Sequence, residues 1–417
     1  MIQPADSVAG RAPDREPFIT RARVRNYKSI GKCEVDFRPV TVLVGRNGAG
    51  KSNFLDALRF VTDALQSSLD HAIKSRGGID AVRRRSTGHP RNFTIELEMS
   101  LPDWKVAKYA FEISAATRGG FSVRAERLKI IEPNGALGDF FRVNDGEVEA
   151  HSEPSFPPAV RDRLYLVNSA GLPKFRAVYD GLVSMGFYNL NPEVMKELQS
   201  PDAGELLHRD GRNISSVVAR LSADKPQIMD RVKVYLETIV SGISEIERVA
   251  LGPSETLRFR QKVTGSAHPW QFYAANMSDG TLRAVGNLIA VSQLADRKSP
   301  VTLIGIEEPE TALHPAAAKA LLQALSEAAE HTQVVVTTHS PELLDDTDPD
   351  RDALLVVTSE NGDTTIAPFD EASREAIRRH LYTAGDLLRM DQLQPDRANL
   401  EQQQLALFDA DRTGDSV

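Results

Sequence analysis

The feature that most constrains the fold of this chain is a glycine-rich loop between an apolar run and a helical pattern. Residues 40–44 (VTVLV) predict a buried strand, and the apolar spacing after residue 53 predicts a helix. The loop between them matches GxxxxGK[ST], with Gly45, Gly50, Lys51 and Ser52 at the fixed positions. Such a loop turns backbone N–H groups toward one centre, and the helix adds the positive end of its dipole. We therefore predict a polyphosphate cradle here.

Each polar residue of this loop has an expected task. Lys51 can reach the outer phosphates, and the Ser52 hydroxyl can ligate the magnesium that accompanies them. A chance match in an ordinary glycine turn is the alternative, and the strand and helix on either side argue against it. The predicted phosphate-binding residues are Arg46, Asn47, Gly48, Ala49, Gly50, Lys51, Ser52 and Asn53.

Composition excludes several classes of protein. The 417 residues are 41% hydrophobic and 26% charged, and they contain no apolar run long enough to span a membrane. The first residues lack the apolar core of a signal peptide, so we expect a cytoplasmic protein without membrane contact. The single cysteine, Cys33, excludes an internal disulfide framework. A net charge of −8 argues against broad coating of nucleic acid.

Changes of periodicity divide the chain into five parts. Residues 1–17 predict a disordered lead, and 18–150 a lobe with a hairpin, the phosphate loop and an antiparallel meander. Residues 151–265 predict a helical insertion, 266–370 a second lobe of alternating strands and helices, and 371–417 a helical and flexible tail. Because apolar strands alternate with helices, we expect an α/β fold with a mostly parallel sheet flanked by helices.

A basic stretch at residues 74–91 has two interpretations. Its cations could contact a DNA backbone, or they could belong to a solvated loop. The second interpretation is favoured because no aromatic residue lies within the stretch to stack on bases.

Two adjacent carboxylates, Glu307 and Glu308, follow the apolar run 301–306. Strand ends of open α/β sheets are where ligands bind, so we assign Glu307 to the metal and Glu308 to polarising the attacking water. Acidic residues at a strand end can also cap helices or solvate turns. His339 ends the next buried strand, where it could hydrogen-bond the γ-phosphate.

In combination, these motifs resemble the ABC class of P-loop ATPases, within it the SMC, RecF and OLD-like group. Residues 45–52 resemble Walker A, 304–308 Walker B, 277–281 (MSDGT) the signature motif, 309–315 (PETALHP) the D-loop, and His339 the switch histidine. The run 25–30 (RNYKSI) is similar to the N-terminal strand and turn of the group. The matches cover about residues 19–66 and 270–345 in the expected order.

The resemblance implies an ATP-gated homodimer. ATP would lie between two heads, with Lys51 and Ser52 of one chain facing Ser278, Asp279 and Gly280 of the other. ATP binding would close the dimer, and hydrolysis through Glu308 would open it.

Two departures from the family pattern stand out. Walker B usually has Asp where Glu307 stands, so the metal would be held by a longer arm. The family also has a Q-loop glutamine, for which Gln199, Gln261 and Gln271 are candidates.

The sequence says less about the process that ATP hydrolysis would drive than about the hydrolysis itself. OLD nucleases carry a C-terminal Toprim domain, whereas the acidic cluster after His339 (Asp345, Asp346, Asp348 and Asp350) is expected to solvate a loop. We therefore predict no intrinsic nuclease. The resemblance to stand-alone ATPases of bacterial defence operons implies a separate effector protein, and phage defence as the process. A transporter ATPase subunit and a scaffold that sequesters a toxic partner are the alternatives.

The tail offers one further partner. Residues 404–408 (QLALF) resemble the short peptide by which bacterial proteins dock on the DNA-polymerase sliding clamp. The alternative, which is favoured, is a terminal helix that packs Leu405 and Phe408 on the body.

Overall fold

The computed structural model describes residues 17–86, 90–116, 120–240, 242–266, 268–293, 301–311, 313, 315–345 and 352–410, with the backbone alone at 315–317 and 404–410. The strands, in chain order, are β1 (Ile19–Tyr27), β2 (Ile30–Asp36), β3 (Val40–Val44), β4 (Asn92–Ser100), β5 (Val106–Ala115), β6 (Phe121–Ile131), β7 (Leu137–Asn144), β8 (Glu147–His151), β9 (Gly186–Tyr188), β10 (Ile243–Leu251), β11 (Ser254–Gln261), β12 (Trp270–Tyr273), β13 (Leu303–Glu307), β14 (Gln333–Thr338), β15 (Ala353–Glu360) and β16 (Asp363–Pro368). The helices are α1 (Lys51–Gln66), α2 (Leu69–Lys74), α3 (Ile79–Val82), α4 (Tyr165–Ser169), α5 (Pro173–Val183), α6 (Pro192–Lys196), α7 (Ile214–Asp224), α8 (Pro226–Ile239), α9 (Asp279–Ser292), α10 (Pro315–Ala328), α11 (Pro341–Leu344), α12 (Glu371–Arg378), α13 (Ala384–Arg389) and α14 (Arg397–Ala410).

The strand before the glycine-rich loop lies inside a six-stranded sheet with the order β16-β15-β3-β14-β13-β9. The four strand pairs from β15 to β9 are parallel, and β16 returns antiparallel along β15 at the edge. All five residues of β3 are buried, as expected for a strand covered on both faces. The α/β class and the mostly parallel sheet are confirmed.

Alternate residues of the parallel strands serve two hydrophobic cores. Leu43 of β3 and Val335 of β14 face a core that holds α1 and the antiparallel sheet. Val42 and Val336, one residue along on each strand, face the core formed with α7 to α10. Helix α1 therefore lies between two sheets, which fixes the start of the helix against the glycine-rich loop.

The predicted hairpin and meander form one sheet rather than two units. Its order is β2-β1-β4-β5-β6-β7-β8, and β1 pairs antiparallel with β4 across the inserted strand, loop and helix of the phosphate cradle. The hairpin turn between β15 and β16 is also as predicted, since Asn361 and Gly362 have φ of 51° and 78°, the left-handed values of a two-residue turn.

The prediction of a helical insertion at 151–265 is wrong for part of the region. The region holds α4 to α8, but it also holds β9, which is part of the six-stranded sheet, and β10 and β11 of a three-stranded sheet completed by β12. Ile243 and Ile246 are three residues apart, a helical spacing in the sequence. A register shift between Ile243 and Glu245 puts both isoleucines on the buried face of a strand instead.

Helix α14 is hydrogen-bonded to both large sheets through Gln403. The Gln403 side chain of α14 accepts a hydrogen bond from the Glu34 N–H of β2 (3.1 Å) and donates one to the Ile366 carbonyl of β16 (3.1 Å). The backbone of the predicted clamp-binding segment, 404–408, continues α14, but its side chains lie outside the described residues. No described helix is long and apolar enough to cross a bilayer.

Candidate ATP-binding site

The glycines of the loop are required by its geometry. Gly48 and Gly50 have φ of 80° and 108°, a region that favours glycine. A Cβ on Gly50 would lie 2.1 Å from the Thr364 hydroxyl, and one on Gly45 would lie 2.2 Å from the Val357 carbonyl oxygen. The β15–β16 hairpin therefore packs directly against the loop, and only glycine fits at both positions.

Lys51 begins α1 and is buried. Its ammonium donates to the carbonyls of Gly45 (2.8 Å) and Arg46 (3.1 Å), and it lies 4.0 Å from Glu308 Oε1. Burial lowers the pKa of Lys51, while the nearby carboxylates of Glu308 and Glu310 act in the opposite direction. The ammonium is thus held over the loop, where an outer phosphate of a bound nucleotide would lie.

A network of hydroxyl groups supports the glycine-rich loop. It was not predicted from the sequence. The Thr364 hydroxyl donates to the Ala49 carbonyl (2.9 Å) and lies 2.7 Å from the Ser29 hydroxyl. The Asn53 amide donates to the same Ser29 (2.6 Å). The loop is therefore supported by the β1–β2 turn and by β16, which lie far from it in the sequence.

Glu308 brings two of the predicted residues together. It follows β13 with a φ of 43°, and its N–H donates to the Thr337 carbonyl of β14 (2.9 Å). Its Oε1 lies 3.5 Å from His339 Nδ1 and 4.0 Å from Lys51 Nζ. The left-handed backbone at Glu308 is a strained conformation of the kind that active sites hold.

Glu307 has a partner that the sequence did not reveal. Its Oε1 lies 3.3 Å from Arg209 Nη2, and its side chain is mostly buried. The pKa of Arg209 is lowered, mainly by burial and further by the positive charge of Arg59. The Glu307 carboxylate acts in the opposite direction. A metal held by Glu307 would therefore share this carboxylate with Arg209.

Glu310 is a third carboxyl group near the loop, and no role was assigned to it from the sequence. It is 6% exposed, its Oε1 accepts from the Thr338 hydroxyl, and its Oε2 is buried without a hydrogen-bond partner among the described residues. Burial raises the pKa of Glu310. An orphaned buried oxygen beside Lys51 is consistent with a site built for a further ligand.

The signature residues lie on a separate surface. Ser278 caps the N-terminus of α9 by accepting from the Thr281 N–H (3.2 Å), and Ser278 and Asp279 are exposed. Asp279 pairs with Lys196 (2.6 Å), and Gly280 is buried. Within the described contacts these residues do not touch the glycine-rich loop of their own chain.

The other loop residues and the glutamine candidates differ in their surroundings. Arg46 and Asn47 are exposed, and Arg46 lies 3.5 Å from Asp391.

The glutamine candidates lie on or beside the three-stranded sheet, at Gln199, Gln261 and Gln271. The amide that follows β9, the strand beside β13, belongs to Asn189 instead. This residue was not singled out because a three-residue strand leaves almost no periodicity in the sequence.

The basic stretch is largely engaged within the chain. The Arg76 side chain is only 3% exposed and pairs with Asp56 and Asp63, while Arg84 pairs with Asp363. The favoured interpretation of 74–91 as a solvated loop is therefore wrong at Arg76 and Arg84, whose side chains are held in ion pairs within the chain, and the same pairing argues against a DNA contact at these two residues. Residues 87–89 lie outside the described residues.

The acidic cluster predicted to solvate a loop is partly described. Asp345 accepts from the Thr383 hydroxyl (2.7 Å) and pairs with Arg389 (2.9 Å), so it fixes α11 against α13. Asp346, Asp348 and Asp350 lie outside the described residues.

Comparison with family models gives two matches. Residues 18–116 match a model described as "AAA ATPase domain", and residues 213–345 match "AAA domain, putative AbiEii toxin, Type IV TA system". Together they include the glycine-rich loop, the signature residues, the two carboxylates at the end of β13, and His339.

Two curated relatives are OLD proteins. The Old nuclease of Escherichia phage P2 is 23% identical over 355 residues, which cover 78% of this chain and 57% of that protein. The OLD nuclease of Thermus scotoductus is 23% identical over 397 residues, 88% of this chain and 68% of that protein. The chain thus spans little more than half the length of the phage relative.

Two solved structures share the fold. An Smc head bound to the C-winged helix domain of ScpA has a TM-score of 0.52 and 16% identity, covering 86% of this chain and 100% of that one. An Smc head from Pyrococcus furiosus has a TM-score of 0.50 and 12% identity, covering 88% and 99%. The two AAA family-model matches and the OLD relatives, together with the fold shared with Smc heads, support an SMC/OLD-like ATPase of the ABC class of P-loop ATPases.

Proposed function

We propose that this protein binds ATP with magnesium at the glycine-rich loop and hydrolyses it. The observation that carries the proposal is the position of Glu308 Oε1, which lies 4.0 Å from Lys51 Nζ at the start of α1 and 3.5 Å from His339 Nδ1 after β14. Lys51 neutralises phosphate charge, Glu308 orients and deprotonates the attacking water, and His339 hydrogen-bonds the γ-phosphate. All three groups lie at the carboxyl edge of the parallel sheet, where ligands of such sheets bind.

The residues present fit a magnesium ion. Ser52 is exposed at the start of α1 and Glu307 ends β13, so a hydroxyl and a carboxylate, both ligands that magnesium prefers, face the same edge. The ion would supply positive charge on the β- and γ-phosphate oxygens. Gly48 and Gly50 leave the backbone free to approach the same phosphates.

We further propose that ATP joins two copies of the chain. Ser278 and Asp279 are exposed at the N-terminus of a 14-residue helix, α9, whose free N–H groups suit a γ-phosphate supplied by a second copy. ATP would then close the dimer and hydrolysis would release it.

Hydrolysis is tested with Glu308→Gln. We expect steady-state phosphate release to fall by about 10²- to 10⁴-fold, the usual contribution of a general base, while binding of a fluorescent ATP analogue is retained. Glu330→Gln is the matched control, because Glu330 is exposed at the end of the α10 region. Unchanged turnover in Glu308→Gln would remove Glu308 from the mechanism.

Dimerisation is tested with the same variant by light scattering. Glu308→Gln with ATP and magnesium should reach twice the monomer mass, and Ser278→Arg should prevent this while retaining nucleotide binding. A monomer in the first sample would refute the ATP-gated cycle even if hydrolysis is confirmed.

The process that the cycle serves is proposed to be DNA-related, with phage defence through a separate effector protein as its setting. Similarity to proteins named Old nuclease and to a toxin–antitoxin family model supports this setting over a transporter subunit. Stimulation of the ATPase by DNA favours it, co-purification with a membrane protein favours the transporter, and very slow turnover favours a toxin-sequestering scaffold. Sliding-clamp docking through 404–408 is tested by binding of the tail peptide, with Leu407→Ala and Phe408→Ala as controls.

The curated relatives carry the name nuclease, so nuclease activity is the second candidate function. Incubating the chain with plasmid DNA and magnesium or manganese decides between it and our prediction of no intrinsic nuclease. Cleavage that persists in Lys51→Ala would establish a separate nuclease centre.

A further inference from the structure

A cleft of about 460 Å³ opens beside the ATP-binding site and is rich in arginine. We define the arginine cleft by Asn189, Asn191, Arg209, Arg212 and Arg283, which line it together with the carboxylate of Asp210. Arg209 connects it to the ATP-binding site, because Arg209 Nη2 lies 3.3 Å from Glu307 Oε1. None of the five residues was assigned a role in the proposed ATPase chemistry.

The walls of the arginine cleft are held in place by backbone contacts. The N–H groups of Asn189 and Asn191 donate to the carbonyls of Arg209 and Asp210, each at 3.1 Å. Between them, Leu190 packs so closely on α9 that a Cβ on Gly286 would lie 2.5 Å from Leu190 Cδ1. Two loops and one helix are therefore locked together, and the cleft between them is preformed.

The charges of the cleft do not balance. Arg209 faces Glu307, and Arg212 has a weak contact with Asp210 at 3.9 Å. Arg283, half-buried on α9, has no hydrogen bond or ion pair within the described part of the chain. A partly desolvated guanidinium without a counter-charge is costly to keep, which favours an anionic ligand.

We propose that the arginine cleft binds a phosphate group that is distinct from those of the ATP on the glycine-rich loop. Guanidinium groups present paired N–H donors that match phosphate oxygens, and the Asn189 amide can add a further donor. The cleft lies at the end of β9, next to β13, and adjacent strands are only about 4.8 Å apart. The ligand would therefore bind beside Glu307, which Arg209 contacts at 3.3 Å.

Two sources supply a phosphate group of this kind. The proposal rests on the proposed function, because it places the phosphate beside a working ATPase. Free phosphate released by hydrolysis would enter the cleft from the Glu307 side. Alternatively, a backbone phosphate of a nucleic-acid strand would enter from solvent, through the exposed Arg212. Arg283 is required in both cases.

The test first fills the glycine-rich loop with a non-hydrolysable imido analogue of ATP and magnesium, because that loop can also bind free phosphate. Inorganic phosphate is then titrated by calorimetry, and a fluorescein-labelled 20-nucleotide single strand by anisotropy. We expect saturable binding of at least one probe and at least about tenfold weaker binding in Arg283→Gln, since a charge-assisted hydrogen bond is lost. Arg212→Gln, at the exposed rim, should weaken the same probe.

Arg176→Gln, which removes an exposed arginine of α5, is the control and should bind like the wild type. Thermal unfolding of each variant shows whether it is folded. Equal binding by wild type and Arg283→Gln, or no saturable binding of either probe, would overturn the proposal. Binding of the ATP analogue is measured in a separate titration. If the analogue does not bind, the proposed function fails, and titration of phosphate into the protein alone still tests the arginine cleft.

Discussion

The Thr364 hydroxyl donates a hydrogen bond to the Ala49 carbonyl at 2.9 Å. These residues are 315 positions apart, yet this bond fixes the back of the glycine-rich loop against the β15–β16 hairpin. Thr364 is fully buried, so its hydroxyl has no water to replace the protein partners Ala49 and Ser29.

Thr364→Val keeps the shape of the side chain and removes the hydroxyl. Because the Ala49 carbonyl loses its buried donor, we expect a stability loss of about 1–3 kcal/mol and weaker ATP binding. Urea unfolding and titration of a fluorescent ATP analogue measure the two effects. Thr365→Val is the control, since its hydroxyl pairs with Thr358 (2.8 Å) rather than with the loop. Equal nucleotide affinity in both variants would show that the hairpin does not position the loop.

Much of the ATP-binding site is visible in the sequence because its residues follow strands with a clear apolar pattern. Residues 40–44, 303–307 and 333–338 are such strands, and they lead into the glycine-rich loop, Glu308 and His339, respectively. Long buried parallel strands produce continuous apolar runs that few other structures produce. The order of the strands brings Lys51, Glu308 and His339 to one edge.

The rest of the site depends on short or distant elements. Asn189 follows a strand of three residues, and Arg209 lies in a loop without regular structure, so neither has a local signal. Thr364 lies in a recognisable hairpin, but its contact with Ala49 depends on the packing of β16 against the loop. The strand at 243–251 was not predicted because Ile243 and Ile246 are three residues apart, which is also the spacing of a helix. The bulge between them is what puts both on one face of the strand.

Arg76 provides a test of the structural interpretation of the basic stretch. Its guanidinium lies against Asp56 and Asp63 and 5.2 Å from the centre of the Phe60 ring. Arg76→Ala would leave Asp56 buried beside fewer cations, so we expect a loss of about 3–5 kcal/mol in unfolding free energy. Arg85→Ala should change it by less than about 0.5 kcal/mol, as for other surface positions. A stable Arg76→Ala protein with weakened DNA binding would instead restore Arg76 as a DNA contact.

Glu126 predicts a pH dependence of stability. It is 1% exposed on β6, accepts from the Tyr109 hydroxyl (3.0 Å) and the Leu166 N–H (2.8 Å), and burial raises its pKa to about 7. Since this exceeds the unfolded value of about 4.3, the folded state binds the proton more tightly. The stabilisation of the folded state by the protonated Glu126 carboxyl group is fully present below about pH 4.3 and is lost as pH rises through 7.

The comparison of wild type with Glu126→Gln isolates this effect. The variant should lose stability at every pH, because the Tyr165 N–H donates to Glu126 Oε2 and an amide NH2 group in that place cannot accept this hydrogen bond. Its deficit should be largest near pH 5 and shrink toward pH 8. Urea unfolding at four pH values measures the difference, and a deficit that grows with pH would show that Glu126 is ionised in the folded protein at low pH.

Arg209 predicts a change in the magnesium requirement. Its guanidinium lies 3.3 Å from Glu307, the proposed metal ligand, so it both repels a cation and competes for the carboxylate. Arg209→Gln should therefore lower the magnesium concentration for half-maximal binding of the ATP analogue by several-fold, whether or not turnover survives. Arg220→Gln, an exposed arginine of α7 that pairs with Glu205 and Asp224, should leave that concentration unchanged. If Arg209→Gln requires more magnesium, Arg209 orients Glu307 for the metal instead of competing with it.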